Sequence, residues 1–209
     1  MRGVFVTGTD TSVGKTVVSA CLVRAWDADY WKPLQTGLAV ERADAATVAE
    51  LAVRQHGRIH ESVYALQAPL SPHAAAALEG VAIEFKRIRL PASARPLVVE
   101  GAGGVLVPID GFRLMVDLIA ALDLPALLVA RSTLGTINHT LLSLEALRAR
   151  ALTILGVVMV GEPNRGNREA IERLGRVRVI AELPFVAPLD FAAIDRLSAL
   201  IPALERLAA

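Results

Sequence analysis

The sequence predicts an α/β fold, with a mostly parallel sheet and helices on both of its faces. Hydrophobic residues make up 54% of the chain but aromatic residues only 4%, so small aliphatic side chains fill the interior. That composition is typical of parallel strands covered on both sides. Short apolar runs alternate with longer segments of helical spacing, as in repeated strand-helix-strand units. A chain of 209 residues can bury one large core, so we expect one domain over residues 1–209.

The strands are predicted from short apolar runs without polar alternation, which indicate burial on both faces. They cover residues 4–7, 29–32, 96–100, 126–130, 154–160 and 177–181. Pro33 ends the second strand, because proline disfavours helix at the residue before it. Right-handed crossovers make such strands parallel, and ligands then bind beyond their carboxyl ends. The site is therefore expected near Thr7, Lys32, Glu100 and Ala130.

The helices are predicted from apolar residues three and four positions apart. They cover residues 15–25, 43–55, 137–150, 167–174 and 190–207. The stretch from 57 to 91 is the least regular part, and we expect it to hold helices that lie over the site. Cys21 falls within the first helix, where we expect it to pack in the core.

Charge and hydropathy exclude several classes of function. Lys and Arg number 22 against 21 for Asp and Glu, which leaves no basic surface for nucleic acid or an anionic membrane. The single cysteine excludes an internal disulfide and a cysteine-based zinc cluster. The chain has no apolar run of membrane-spanning length and no signal-peptide pattern at its start. We expect a cytoplasmic protein that acts on small molecules, without nucleic acid or membrane partners.

A glycine-rich loop, Gly8–Thr16, lies between the first strand and the first helix and is the strongest signal in the sequence. In that position the loop amides converge on a phosphate, Lys15 can reach the outer phosphates, and the Thr16 hydroxyl can bind Mg²⁺. Five residues rather than four separate Gly8 from the Gly14-Lys15-Thr16 triplet, so Thr9 stands where the first glycine is usual. The context predicts a P-loop NTPase-like fold that binds a nucleoside triphosphate.

Three charged residues, two at strand ends and one at the start of a helix, are candidates for the chemistry beside that loop. Mg²⁺ needs one or two carboxylates besides Thr16, and Glu100 and Asp44 are the candidates. Glu100 ends a buried strand before a glycine-rich segment, while Asp44 could instead be an ordinary first-turn residue favoured by the helix dipole. Lys32 should enter the same crevice as Lys15, although a solvated lysine at a strand end is the alternative.

The chain resembles the dethiobiotin synthetase family over about residues 3 to 185. The resemblance is carried by Gly8–Thr16, Lys32-Pro33 with Thr36-Gly37, Ser71-Pro72-His73, Glu100–Gly104 and Leu134–His139. It implies an ATP- and Mg²⁺-dependent ligase of biotin biosynthesis that closes a cyclic urea from 7,8-diaminononanoate and CO₂. The implied route passes through a carbamate and a carbamic-phosphoric anhydride. The resemblance also implies a homodimer in which residues 135–138 reach the site of the neighbouring subunit.

The resemblance assigns roles to individual residues. The catalytic residues are Lys32, Lys15 and Thr11, and the metal ligands are Thr16, Asp44 and Glu100. The expected nucleotide-binding residues are Ser12, Val13, Gly14, Lys15, Thr16, Val17, Asp44, Glu100, Gly101, Ala102, Gly103, Val160, Gly161, Pro184, Phe185 and Val186. The expected substrate-binding residues are Thr36, Thr11, Ser71, Gly135, Thr136, Ile137 and Asn138.

Two positions depart from the family pattern. Ser12 stands where family members often carry Glu, which should alter loop contacts but not phosphate binding. Val160 stands where many relatives carry the Asn that reads the adenine edge, with Gly161 and Glu162 following. Since apolar contact discriminates weakly between bases, we expect other nucleoside triphosphates to be accepted.

Two other functions are compatible with the phosphate loop. Cobyrinate amide-forming ligases share it but add a glutaminase domain, for which 209 residues leave no room. Partition or septum-positioning ATPases place a second lysine inside the loop, where this chain has Asp10, Thr11 and Ser12. No nucleophilic triad is apparent, and His73 and His139 are read as structural or secondary contacts.

Overall fold

The computed structural model describes residues 2–53 and 58–207, and its centre is a seven-stranded parallel sheet. The strands of the chain are β1 (Gly3–Gly8), β2 (Asp29–Trp31), β3 (Leu34–Gln35), β4 (Ile59–His60), β5 (Tyr64–Ala65), β6 (Leu97–Gly104), β7 (Ala126–Arg131), β8 (Ile154–Val160) and β9 (Val179–Leu183). The large sheet has the order β4-β2-β6-β1-β7-β8-β9, and every pair in it is parallel. β3 and β5 form a separate parallel pair.

The helices cover both faces of this sheet. They are α1 (Lys15–Ala25), α2 (Asp44–Ala52), α3 (Pro72–Leu78), α4 (Met115–Leu122), α5 (Thr136–Arg148), α6 (Arg165–Gly175), α7 (Phe191–Ser198) and α8 (Leu204–Leu207), with a 3₁₀ turn at Phe85–Arg87. Within the described residues, no helix combines the length and the apolar character needed to cross a bilayer.

The alternation of side chains along the strands divides the core in two. In β1, Val4 and Val6 belong to the cluster that includes α1, α2 and α7, whereas Phe5 belongs to the cluster with α4, α5 and α6. Successive side chains of a strand point to opposite faces, so both faces of the central strand are buried under helices. The predicted α/β fold is confirmed. Cys21 is fully buried in the first cluster, as expected for core packing.

Several predicted bounds were wrong, each for a local reason. Glu100 does not end its strand, because β6 goes on pairing with β1 as far as Gly104. The last strand begins at Val179 rather than residue 177, since α6 runs to Gly175 and ends on the left-handed Arg176. The predicted helix over 190–207 is interrupted between α7 and α8, where Pro202 lacks the N–H that a continuous helix needs.

The remaining differences are an omission and a prediction tested only in part. The buried helix α4 was not predicted, whereas the irregular stretch does contain the expected helix, α3, together with β4 and β5. The structure has α2 ending at Ala52, and the predicted continuation to residue 55 lies outside the described residues, as does the start of the irregular stretch at residue 57.

Candidate functional site

The phosphate loop joins β1 to α1 at the carboxyl edge of the sheet. Gly14 caps α1 with φ of 96°, a left-handed conformation that favours glycine. A Cβ at Gly14 would also lie 3.0 Å from a methyl carbon of Val160. The Lys15 ammonium donates a hydrogen bond of 2.9 Å to the Asp10 carbonyl, so its long side chain curls back over the loop. The loop thus connects β1 to α1 as the sequence predicted, and its role in phosphate binding stays a prediction.

Lys15 has an unusual electrostatic environment. Burial, and then the neighbouring Lys32 ammonium, lower the pKa of Lys15 to about 8, against the smaller opposing effects of nearby carboxylates. A lysine ordinarily has a pKa near 10.4, so the cost of keeping this charge is substantial. Anionic phosphates beside Lys15 would offset that cost.

Two carboxylates converge on the hydroxyl of Thr16. Thr16 Oγ1 lies 2.6 Å from Asp44 Oδ1 and 3.1 Å from Glu100 Oε1. Asp44 is the first residue of α2, and its backbone N–H donates to Gln35 Oε1 at 3.1 Å, which ties α2 to the segment after Lys32. Three sequence-distant elements thus bring the predicted metal ligands to one point.

The ammonium of Lys32 lies between the same two carboxylates. Its Nζ is 2.6 Å from Asp44 Oδ2 and 3.0 Å from Glu100 Oε1. Burial alone lowers the pKa of Lys32, but the attraction of Glu100 and Asp44 outweighs it, so the pKa is raised. For Asp44, burial favours the neutral form, whereas Lys32 and hydrogen bonds from Thr16 and Gln35 lower its pKa overall. Lys32 is therefore a buried, charged partner of the carboxylates and not a solvated lysine.

A tyrosine that the sequence reasoning missed completes this cluster. The Tyr30 hydroxyl donates a hydrogen bond of 3.0 Å to Glu100 Oε2, and Tyr30 is fully buried. Burial and the negative charges of Glu100 and Asp44 raise the pKa of Tyr30 well above its usual value, so the phenol stays protonated. A signal existed in the sequence, because Tyr30 precedes Lys32 by two residues and alternate residues of a strand share a face.

Two adjoining cavities open at this edge of the sheet. One, of about 350 Å³, is lined by the phosphate loop together with both lysines and both carboxylates. The other, of about 550 Å³, extends over Ser71 and Pro72 at the start of α3. The residues lining both are Thr11, Ser12, Thr36, Glu41, Ala102 and Gly103. The cavities are thus contiguous, and the second contains the predicted substrate residues Thr11, Thr36 and Ser71.

A third cavity, of about 170 Å³, lies on the other side of the loop. The predicted base-pocket residues Val160, Pro184, Phe185 and Val186 line it, together with Ser12, Val13, Gly14 and Val17. Val160 is only 6% exposed and packs on the loop as an apolar wall. A Cβ at position 161 would lie 2.5 Å from Ser132 Oγ, so Gly161 leaves no space for an amide side chain. This cavity, the predicted base pocket, is therefore mainly apolar.

Some predicted residues lie apart from these cavities. A Cβ at Gly101 would meet Phe5 at 2.9 Å, on the opposite face of the sheet. Residues 135–138 form the start of α5, where the Thr136 hydroxyl donates to the Arg131 carbonyl at 2.5 Å. Among the described residues, neither Gly101, Gly161 nor residues 135–138 line the three cavities.

The two histidines named from the sequence have different surroundings. His73 Nδ1 lies 2.8 Å from Ser71 Oγ, so its ring contacts a predicted substrate residue and not the phosphate loop. His139 lines a further cavity of about 360 Å³ beside α5, which shares Asp10, Gly104 and Val107 with the cavity over Ser71. Their assignment as structural or secondary contacts stays a prediction.

The sheet, the loop and the helix that follows it define a P-loop nucleotide-binding fold. Solved structures agree: a ParA family ATPase from Chlorobium tepidum superposes with a TM-score of 0.60 at 13% identity, covering 95% of this chain and 98% of that one. The septum site-determining protein MinD from Pyrococcus horikoshii, complexed with Mg-ADP, gives a TM-score of 0.57 at 15% identity, covering 100% and 98%. At such identities the likeness shows the fold alone.

Sequence relatives define the family within that fold. A family model described as an AAA domain matches residues 2–193. The ATP-dependent dethiobiotin synthetase BioD of Paramagnetospirillum magneticum is 58% identical over 183 residues, 88% of each protein. That of Brucella ovis is 49% identical over 185 residues, 88% of this chain and 87% of that protein. The chain belongs to the ATP-dependent dethiobiotin synthetase family.

One relative is a longer protein. The biotin biosynthesis bifunctional protein BioCD of Bordetella avium is 61% identical over 206 residues, which is 99% of this chain but only 44% of that protein. The chain thus spans less than half of this bifunctional relative.

Proposed function

We propose that this chain is an ATP-dependent ligase of biotin biosynthesis, which closes the cyclic urea of dethiobiotin from 7,8-diaminononanoate and CO₂. The observation that carries the proposal is the pair of contiguous cavities with both lysines at the phosphate-loop end. A nucleotide on the loop and a small diamine in the second cavity would meet at this boundary. The named relatives supply the substrate class, since they are dethiobiotin synthetases.

The proposed reaction has three steps. One amine of the substrate adds to CO₂ and loses a proton, which gives a carbamate. A carbamate oxygen then attacks the γ-phosphorus of ATP, the bond to the β-phosphate oxygen breaks, and ADP leaves. The second amine attacks the carbonyl carbon of the resulting anhydride, expels phosphate and loses a proton. A carboxylate-like oxygen is thereby converted into a good leaving group without any nucleophilic side chain of the protein.

The chain's own residues suit this chemistry through charge and position. Lys15 sits on the phosphate loop and would neutralise the phosphates of ATP. Lys32 shares its partners Asp44 and Glu100 with the Thr16 hydroxyl, and there it can neutralise the carbamate and the transferring phosphoryl group. Thr11 and Thr36 line both cavities and would contact the diamine or its carbamate. Removal of water by the cavity walls would strengthen each of these interactions.

The residues present fit a magnesium ion. Thr16, Asp44 and Glu100 offer only oxygen atoms, which Mg²⁺ prefers, and the two carboxylates already hold one cation, the Lys32 ammonium. Bound there, Mg²⁺ would orient the β- and γ-phosphates and neutralise their charge.

A homodimer is part of the proposal. Residues 135–138 lie at the N-terminus of α5, a position that favours an anion, and the Thr136 N–H there donates to the Thr133 carbonyl at 3.2 Å. Because these residues lie outside the cavities of their own chain, we assign them to the substrate carboxylate in the site of a second copy. A shift from dimer to monomer on dilution should then reduce activity, and analytical ultracentrifugation beside kinetics would measure both.

Phosphate release from ATP tests the proposed function. We expect release to depend on both diaminononanoate and bicarbonate, with dethiobiotin identified by mass spectrometry as the product. Release that is unchanged when either is omitted would support a nucleotide-switch ATPase of the partition or septum-positioning kind and would contradict the ligase. The phosphate loop argues against the switch, since Asp10, Thr11 and Ser12 occupy the positions of its second lysine.

A further inference from the structure

We propose that Tyr30 is a positioning residue for Glu100, which holds the carboxylate so that one of its oxygens stays directed at the metal and phosphate site. This inference rests on the proposed function, because it gives Glu100 the role of a magnesium ligand. Tyr30 would not touch the metal, the nucleotide or the substrate. It would act through the carboxylate to which it donates its hydrogen bond.

The two oxygens of Glu100 have separate partners. Oε1 faces Thr16 Oγ1 at 3.1 Å and Lys32 Nζ at 3.0 Å, which places it in the proposed metal cluster. Oε2 points away from the cluster and accepts from the Tyr30 hydroxyl at 3.0 Å. Glu100 is 1% exposed, so water has little access to take the place of the phenol. Loss of the hydroxyl would therefore leave a buried carboxylate oxygen without its donor.

The strand register explains why this tyrosine can reach Glu100. β2 and β6 are parallel neighbours, and Tyr30 is aligned with Val98. Glu100 lies two residues beyond Val98 on the same face, so the long phenol spans the diagonal to it. Tyr30 and Val98 both belong to the core cluster beneath α1 and α2, and that packing fixes the ring. A buried, packed ring that donates to a charged oxygen restricts the rotation of the carboxylate.

Outer-shell partners of metal ligands generally fix the orientation of the ligand and affect metal affinity. Removal of such a partner typically weakens metal binding by about 10- to 100-fold. Phenylalanine at position 30 keeps the ring and its packing and removes only the hydroxyl. The expected effect of Tyr30→Phe is therefore on the metal and not on the fold.

The experiment measures binding of Mn²⁺, a paramagnetic substitute for Mg²⁺, to the full chain in the presence of the non-hydrolysable analogue AMPPNP. Electron paramagnetic resonance gives free Mn²⁺, and we expect Tyr30→Phe to raise the Mn²⁺ dissociation constant about tenfold. The concentration of Mg²⁺ that supports half-maximal turnover should rise in parallel, while kcat at saturating Mg²⁺ stays within about threefold. If Tyr30 had only a structural role, Tyr30→Phe would lower the melting temperature without raising the Mg²⁺ requirement at a nearly unchanged kcat.

Tyr64→Phe is the matched control. Tyr64 is also a buried tyrosine, 7% exposed, but its hydroxyl accepts from the Glu84 backbone N–H at 2.8 Å, in a different contact. This variant should lose a hydrogen bond without any change in Mn²⁺ affinity. An equal loss of Mn²⁺ affinity in both tyrosine variants would overturn the positioning role.

Glu100→Gln separates the inference from the proposed function. If Glu100→Gln weakens Mn²⁺ binding and Tyr30→Phe does not, the metal site stands and the role of Tyr30 is wrong. If Glu100→Gln leaves Mn²⁺ binding unchanged, both the metal site and the role of Tyr30 are wrong. If both single variants weaken binding, Tyr30→Phe added to Glu100→Gln should cause little further loss, because Tyr30 acts only through the carboxylate.

Discussion

The substitution Lys32→Met removes a buried charge and leaves a side chain of similar length. In the wild-type chain the Lys32 ammonium lies 2.6 Å from Asp44 and 3.0 Å from Glu100, and the Lys32 side chain is only 7% exposed. Removing one partner of a buried ion pair leaves uncompensated charge and typically costs about 3–5 kcal/mol of unfolding free energy. For a chain of this size, each kcal/mol lowers the melting temperature by about 2–4 °C. Lys32→Met should therefore melt at least about 6 °C below the wild type near pH 7.

Lys15→Met is the matched control, because its ammonium donates to the Asp10 carbonyl and not to the carboxylates. Burial and Lys32 already lower the pKa of Lys15 to about 8, so its charge is poorly compensated and its loss should change stability little. Differential scanning calorimetry with and without millimolar Mg²⁺ would measure both effects. We expect Mg²⁺ to recover part of the loss in Lys32→Met, because the ion replaces the missing cation, and to do little for Lys15→Met.

Two outcomes would refute this reasoning. Equal melting temperatures for the two variants would show that Lys32 does not compensate the carboxylates. An increase in melting temperature with Mg²⁺ that is the same in both variants would show that the ion does not bind between Asp44 and Glu100.

Three further predictions concern the nucleotide. ATP should bind less tightly as the pH rises through about 8, because the Lys15 ammonium loses its proton there. Calorimetric titration between pH 7 and 9.5 should show this fall in ATP affinity in the wild type but not in Lys15→Met. GTP and CTP should support turnover within about tenfold of ATP, since Val160 supplies no hydrogen bond to the base; a preference for ATP above about a hundredfold in steady-state kinetics would contradict this. Gly14→Ala should abolish measurable ATP binding and cost about 1–3 kcal/mol of stability, because φ at this position is 96° and the new Cβ would crowd Val160. Near-native ATP affinity and melting temperature would disprove the need for glycine at position 14.

The fold was predictable wherever one physical signal dominated. Apolar runs without alternation gave the central strands, and the loop before α1 gave the edge of the sheet at which the site lies. Helix α4 was not predicted, because Met115–Leu122 is apolar almost throughout and periodicity cannot distinguish such a run from a buried strand. The extension of β6 to Gly104 was not predicted either, because a glycine-rich segment is typical of a loop and only its pairing with β1 shows that it is a strand.

The candidate site was predictable in its parts but not in its connections. The phosphate-loop pattern and the family resemblance predicted that Lys15, Lys32, Asp44 and Glu100 share one site, and the structure places all four at one cavity. Neither could show that Lys32 forms ion pairs with both Asp44 and Glu100, because the pair with Asp44 depends on the position of α2. The spacing of Tyr30 from Lys32 indicated a shared face, but it could not show which atom accepts from the phenol, because a buried tyrosine in an apolar strand is also typical of core packing.

Oxygen transfer from CO₂ to phosphate tests the central claim, that the carbamate attacks ATP, most directly. The wild-type chain would be incubated with ATP, diaminononanoate and freshly dissolved CO₂ labelled with ¹⁸O at both oxygens. Carbonic anhydrase would be left out, because it exchanges the label with water, and the released phosphate would be analysed by mass spectrometry before the label is lost. The proposed anhydride leaves the attacking carbamate oxygen on phosphorus when the second amine displaces phosphate, so each phosphate should carry one ¹⁸O. Phosphate without ¹⁸O under conditions where the label in CO₂ persists would show that water, and not the carbamate, attacks ATP.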